Sequence, residues 1–90
     1  MVENKTNKTP GDFTAGSIYK MAVAKDSHVK KPYYVMIYEL GKDYIKTSIP
    51  GKHELEIKFG TYEWNYHIPR MTFIGEYDKS KHLLNNQKLL

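Results

Sequence analysis

The sequence lacks cysteine, so it has neither a disulfide framework nor a cysteine-based metal site. It also lacks an apolar run of the roughly 18–20 residues that a membrane helix requires. Its first fifteen residues contain no apolar core of a signal peptide. We therefore expect a cytoplasmic protein without a membrane partner, and its 90 residues suffice for one domain with a thin core.

Motifs that would carry chemistry are also missing. The chain has no serine-nucleophile signature, no phosphate-binding glycine loop and no close pair of carboxylates. Its histidines lack the spacing of metal ligands, and in the predicted strands His53 and His67 fall on opposite faces. We therefore predict no enzyme, no cofactor and no metal site.

Aromatic residues are abundant, and eight tyrosines in 90 residues favour strands. Short apolar runs separated by turn residues predict strands at 17–24, 33–40, 43–49, 53–59, 62–68 and 71–77. A helix is predicted at 79–90, with Asp78 or Ser80 as its N-cap. The predicted fold is mainly β (α+β): an antiparallel five- to six-stranded meander or partly open small barrel with one C-terminal helix.

The predicted domain organisation is simple. Residues 1–15 are polar and show no periodicity, which predicts a disordered N-terminal tail. Residues 16–90 are expected to form a single small β-rich domain.

The turns predict which residues face the core. A two-residue Gly60-Thr61 hairpin would place Trp64 inside, and a two-residue loop at 69–70 would set it opposite Gly75. A three-residue turn at 50–52 brings Ile45 opposite Ile57. The predicted inner face contains Ile45, Ile49, Leu55, Ile57, Phe59, Tyr62, Trp64, Tyr66, Ile68, Met71 and Phe73.

Strand 33–40 is apolar on both faces. The residues assigned to its inner face are Tyr34, Met36, Tyr38 and Leu40. Tyr33, Val35 and Ile37 would then lie on an outer face. The C-terminal helix, the first strand or a second subunit could cover them, and left uncovered they would form a patch for a partner. Self-association through this patch would give a homodimer.

Positive charge is predicted to collect at one end of the sheet. The formal net charge is +4, and in an antiparallel meander the turns alternate between the two ends. One end would hold the cations Lys25, Lys30, Lys31, Lys52 and Arg70. Such clusters bind phosphate backbones, and Tyr33 borders this end as a possible stacking residue. The alternative is a solvated lysine-rich loop that serves only solubility.

Two functional hypotheses follow. The first is a small non-enzymatic module that binds nucleic acid through this basic rim. The second is a protein-binding adaptor or inhibitor, using the outer apolar patch, a strand edge or the basic rim against an acidic protein partner.

One fragment has a familiar appearance. The stretch SIPGKHELEIKFG resembles the Pro-Gly-x-His hairpins of PEGA-like β-sandwich modules, over 13 of the 90 residues. The rest of the chain does not follow such a module, and no function is carried over from it.

Overall fold

A computed structural model describes residues 7–24 and 31–87. The strands are β1 (Ser17–Met21), β2 (Tyr33–Leu40), β3 (Tyr44–Ile49), β4 (His53–Lys58) and β5 (Met71–Glu76). The helices are α1 (Tyr62–His67) and α2 (Tyr77–Asn85), with 3-10 helices at Pro10–Asp12 and Ile68–Arg70.

The five strands form one antiparallel sheet in the order β4-β3-β2-β1-β5. Strands β1 to β4 follow one another as neighbours, whereas β5 returns to pair with β1. Strands β4 and β5 therefore run in the same direction, which requires a crossover connection, and α1 lies within it. The prediction of a mainly β, antiparallel fold with a C-terminal helix is confirmed, and the sheet is open rather than closed into a barrel.

The hairpin of β3 and β4 has the predicted register. Ile45 lies opposite Ile57, across a turn formed by residues 50–52. Gly51 has a φ of 76°, so a glycine supplies the left-handed conformation in this turn. The alternation of buried and exposed residues in these strands was therefore sufficient to fix their pairing.

Strand β2 turns the opposite face to the core, so the predicted outer patch is wrong. Val35 is 1% exposed and Ile37 is 0% exposed, and both lie in the core. A bulge between Ile37 and Glu39 is the cause, because one extra residue reverses which side chains point inward. Beyond the bulge, Leu40 lies opposite Ile45 and packs against the core, on the face predicted for it. The residues displaced to the outer face are Tyr34, Met36 and Tyr38.

Residues 62–67 form helix α1, so the predicted Gly60-Thr61 hairpin and sixth strand are wrong. Thr61 is the N-cap, and its hydroxyl oxygen accepts a hydrogen bond from the backbone N–H of Trp64 at 3.2 Å. Helical spacing then directs Trp64 and Ile68 to the core, where both are buried. The predicted loop at 69–70 belongs to a 3-10 helix.

The inner core lies between the sheet and a cover formed by α1 and the N-terminal segment. Phe13 meets the Trp64 ring edge-on at 6.0 Å between centroids, and the Trp64 Nε1–H donates to the carbonyl oxygen of Lys8 at 3.2 Å. Residues 7–15 of the predicted tail therefore have a defined place against the core, whereas residues 1–6 lie outside the described residues. The buried cluster comprises Phe13, Tyr19, Met21, Val35, Ile37, Ile45, Ile49, Ile57, Trp64, Ile68 and Met71.

Helix α2 covers part of the outer face, across β1, β2 and β5. Ile18 and Leu84 are buried between helix and sheet. Gly75 lies under this helix rather than beside Trp64, because a Cβ at Gly75 would lie 2.9 Å from the Ser80 Oγ. The glycine therefore permits close packing of α2, which corrects its predicted role.

The bounds of α2 also differ from the prediction. The helix begins at Tyr77, after Glu76 as N-cap, and residues 88–90 of the predicted helix lie outside the described residues. The carboxamide of Gln87 bonds to both backbone groups of Tyr34, at 2.7 Å each. Tyr34 precedes the paired part of β2 and β3, so Gln87 replaces a missing strand partner.

The rest of the outer face, over β3 and β4, is polar. The Nζ of Lys46 lies 3.7 Å from a carboxylate oxygen of Glu39 and 4.0 Å from a carboxylate oxygen of Glu56. The Tyr38 hydroxyl donates to Glu54 at 3.0 Å. Lys46 and Glu56 lie directly opposite each other in the pairing of β3 and β4.

Candidate functional site

One end of the sheet gathers cations, as the alternation of strands predicted. It is formed by the connection between β1 and β2, the turn between β3 and β4, and the 3-10 helix before β5. Lys31 and Lys52 are exposed there, and Arg70 is half-buried. We call these three residues the basic end. Lys25 and Lys30, predicted for the same end, lie outside the described residues.

The basic end carries little opposing charge. The described segments that form it, 22–24, 31–33, 49–53 and 67–72, contain no aspartate or glutamate. The opposite end of the sheet mixes both signs, because Lys42 and Asp43 share one loop there. The potential at the basic end is therefore positive, which attracts anionic groups.

The guanidinium group of Arg70 is held in place by neighbouring residues. Its Nη1 donates to the carbonyl oxygen of Ala22 at 2.6 Å, and its Nε donates to that of Tyr66 at 3.1 Å. Its Nη2 lies 3.1 Å from Nδ1 of His67. Arg70 therefore ties the crossover to the end of β1 and contributes a fixed positive charge, and its role as a phosphate contact stays a prediction.

Two tyrosines and this arginine form a column along the outward side of α1. The rings of Tyr62 and Tyr66 stack with centroids 6.0 Å apart and an angle of 19° between their planes. The guanidinium carbon of Arg70 lies 4.7 Å from the centroid of the Tyr66 ring. Tyr62 is 76% exposed and Tyr66 is 38% exposed. We call Tyr62, Tyr66 and Arg70 the tyrosine column.

The column and the basic end are continuous. Helix α1 follows β4 and precedes β5, so it crosses the sheet towards the basic end. Arg70 belongs to both features, because it closes the column and stands at the start of β5. An aromatic surface and a positive surface therefore meet at one place.

The sequence prediction missed these tyrosines because it treated 62–68 as a strand and placed them in the core. The other aromatic residues predicted for the inner face that are exposed are Tyr38, Phe59 and Phe73. Tyr33, the predicted stacking residue, is half-buried and packs against the inner core. The signal that could have identified α1 is the four-residue spacing of Tyr62 with Tyr66 and of Trp64 with Ile68, after a capping Thr61.

Two kinds of feature are absent from the described residues. Within 7–24 and 31–87, no group of three or more histidine, aspartate or glutamate side chains is arranged to hold a metal ion. No helix in these residues is long and apolar enough to cross a membrane.

Comparison with known proteins gives no independent assignment. No protein-family model, no curated protein and no solved structure matches this chain. Functional inference therefore rests on the residues of the site.

Proposed function

We propose that this protein is a small non-enzymatic module that binds single-stranded nucleic acid. Bases stack on the tyrosine column, and the phosphate backbone lies along the basic end. The observation that carries the proposal is the 76% exposed ring of Tyr62, stacked on Tyr66 with Arg70 behind it.

The aromatic part of the site favours unpaired bases. Every base has a flat π-face, so stacking on tyrosine tolerates any sequence and contributes about 1–3 kcal/mol per base. Bases within a duplex are already stacked on one another and do not present that face. The column therefore supports binding to single strands over duplexes.

The charged part of the site supplies attraction that depends on salt. Lys31 and Lys52 are exposed, and Arg70 adds a fixed charge beside the column. Lys25 and Lys30 stay in the proposal as phosphate contacts predicted from sequence alone. If about three phosphates are neutralised, the logarithm of the association constant falls with the logarithm of salt with a slope of about −2.

The test is fluorescence anisotropy of labelled single-stranded DNA, RNA and duplex DNA at about 50 and 200 mM salt. We expect micromolar binding of the single strands at the lower salt and weaker binding of the duplex. Tyr62→Ala should reduce affinity about five- to hundredfold, because the lost stacking is worth about 1–3 kcal/mol. Lys52→Glu should lower affinity and reduce the salt slope.

Matched variants separate the site from general charge and aromatic content. Lys42→Glu makes the same change of charge at the opposite end of the sheet, and Tyr38→Ala removes another exposed tyrosine. Both should bind nearly as well as the wild type. Absence of binding at the lower salt, or equal losses in the control variants, would contradict the proposal.

The structure removes the outer apolar patch from the protein-binding hypothesis. Val35 and Ile37 are buried, so they offer no patch to a partner. Its remaining forms use the basic end against an acidic protein or a strand edge. If this protein does not bind nucleic acid at low salt but binds an acidic polypeptide, and Lys52→Glu weakens that binding, the result would support an acidic protein partner at the basic end.

A further inference from the structure

The tyrosine column has a single free face for stacking. Tyr62 precedes Tyr66 by four residues and Arg70 follows it by four, so the two neighbours lie on opposite sides of the Tyr66 ring, at 6.0 and 4.7 Å from its centroid. A base inserted between the two rings would need about 6.8 Å, twice the 3.4 Å spacing of stacked bases. Tyr62 is 76% exposed, so its face turned away from Tyr66 is open. The column therefore offers a stacking face to one base.

This free face lies far from the exposed lysines of the basic end. Tyr62 is the first residue of α1, which begins after β4 ends, whereas Lys52 lies in the turn before β4 begins. The six residues of β4 span about 20 Å. Arg70 is nearer to Tyr62, but neighbouring residues already hold its guanidinium group. The stacking face and the exposed cation of Lys52 are therefore separated by the length of a strand.

The end of α1 that carries Tyr62 does not favour phosphate. Residues 62–67 contain no lysine or arginine, and Glu63 is exposed beside Tyr62. A carboxylate in the first turn is stabilised by the helix dipole, and its negative charge repels a phosphate nearby. The contact with a base and the contacts with phosphates therefore belong to two separate places on the surface.

We propose that the ligand is a single strand of about six to eight nucleotides, which stacks one base on Tyr62 at one end of the bound segment and sets its phosphates against Lys31 and Lys52 at the other. This inference rests on the proposed function and defines the ligand of that same site. A strand that covers about 20 Å needs about six nucleotides at the stacked spacing of 3.4 Å. A mononucleotide or a dinucleotide is too short and reaches one of the two contacts at a time.

Two separated contacts on one strand predict a step in affinity with strand length. Once one contact has formed, the second forms within the same complex, at an effective concentration set by the chain between them. Linked contacts of this kind exceed the affinity of either contact alone by about 10²–10⁴-fold. The gain is absent while the strand is too short to span both contacts, and it ends once the strand is long enough.

The first test is competition against a labelled twelve-residue thymidylate strand, followed by fluorescence anisotropy at about 50 mM salt. The competitors are unlabelled thymidylates of one, two, four, eight and twelve residues. Eight and twelve residues should compete within about threefold of each other, whereas one and two should be at least about a hundredfold weaker. Tyr62→Ala should flatten this step. Tyr38→Ala, which removes an exposed tyrosine on the outer face, should keep it.

The second test counts the stacked bases with strands from which bases have been removed. An eight-residue strand without bases should bind about five- to hundredfold more weakly than the thymidylate of that length, because it keeps the phosphates and loses the stacking. Restoring a single base at one of the two termini should recover the affinity to within about threefold. In Tyr62→Ala the strands with one base and with none should bind equally, because the ring that the base stacks on is gone.

The outcomes separate this inference from the proposed function. If the labelled strand does not bind the wild type, both are wrong. If it binds but a mononucleotide competes as well as eight residues, the strand that spans two contacts is wrong while nucleic-acid binding stands. The single stacked base is likewise overturned if affinity returns only when two or more bases are restored, or if one base restores it equally in Tyr62→Ala.

Discussion

The two faces of the sheet are covered in different ways. The inner face is closed by α1 and the segment around Phe13, and its apolar cluster is continuous from β4 to β5. The outer face is divided between a small apolar region under α2 and an exposed network of tyrosines, glutamates and lysine. The comparison indicates that stability resides mainly in the inner face. It also shows that the two sides of α1 differ. The side with Trp64 covers the core, and the opposite side carries the tyrosine column.

Removing the centre of the inner cover should have the largest effect. Trp64→Ala should lower the free energy of unfolding by about 3–5 kcal/mol, because the indole is 1% exposed and its loss leaves a cavity. Urea unfolding followed by circular dichroism is the appropriate measurement, since Trp64 is the only tryptophan. A loss below about 1 kcal/mol would contradict the central role of the inner cover.

Truncation on the outer face should cost less. Leu84→Ala should lower the free energy of unfolding by about 2–3 kcal/mol, because Leu84 is equally buried but belongs to a smaller cluster. Leu83→Ala, at a half-buried neighbouring position, is the matched control and should cost about 1 kcal/mol or less. If Leu84→Ala destabilises the protein as much as Trp64→Ala does, the contrast between the faces is wrong.

The tyrosines in the polar part of the outer face should make the stability of the protein fall at high pH. Partial burial and the hydrogen bond to Glu54 raise the pKa of Tyr38, and the hydrogen bond to Glu39 and partial burial raise the pKa of Tyr44, above the usual 10.0. A tyrosine whose pKa is raised by folding stabilises the protein at pH values below its unfolded pKa. That contribution is lost as the pH rises through the folded pKa.

We therefore expect unfolding free energies that are constant near pH 8–9 and fall as the pH rises above about 10. The double variant Tyr38→Phe with Tyr44→Phe should show a smaller decline over the same interval in urea unfolding. An identical decline in wild type and variant would show that these hydroxyls contribute nothing to the pH dependence.

The hairpin of β3 and β4 could be predicted from sequence because local alternation and a tight turn determined it together. Strand β2 could not, since a bulge at Tyr38 reverses its faces and leaves no mark in the apolar pattern. The stretch around Trp64 satisfied two periodicities at once. Bulky residues at every second position indicated a strand, whereas a four-residue spacing after Thr61 indicated a helix, and the crossover to β5 made the helix the outcome.

The candidate site was predicted in part for the same reasons. The basic end depends only on which turns share an end of an antiparallel sheet, so Lys31, Lys52 and Arg70 were grouped correctly. The tyrosine column depends on the helical identity of α1, and an error in that one element placed both rings in the core. The anchoring of Arg70 to Ala22 depends on tertiary contacts that no local pattern encodes.

The pairing of β5 with β1 has a consequence for how the chain folds. Phe73 lies more than fifty residues after its partner Tyr19, so this pairing requires closure of a long loop, whereas the three preceding hairpins are local. We expect the hairpins to form early and β5 to dock last, as the slow step of folding. Until that step, β1 is an edge strand without a partner on one side. The partly folded protein is then most prone to aggregation, because an unpaired edge can pair with another chain.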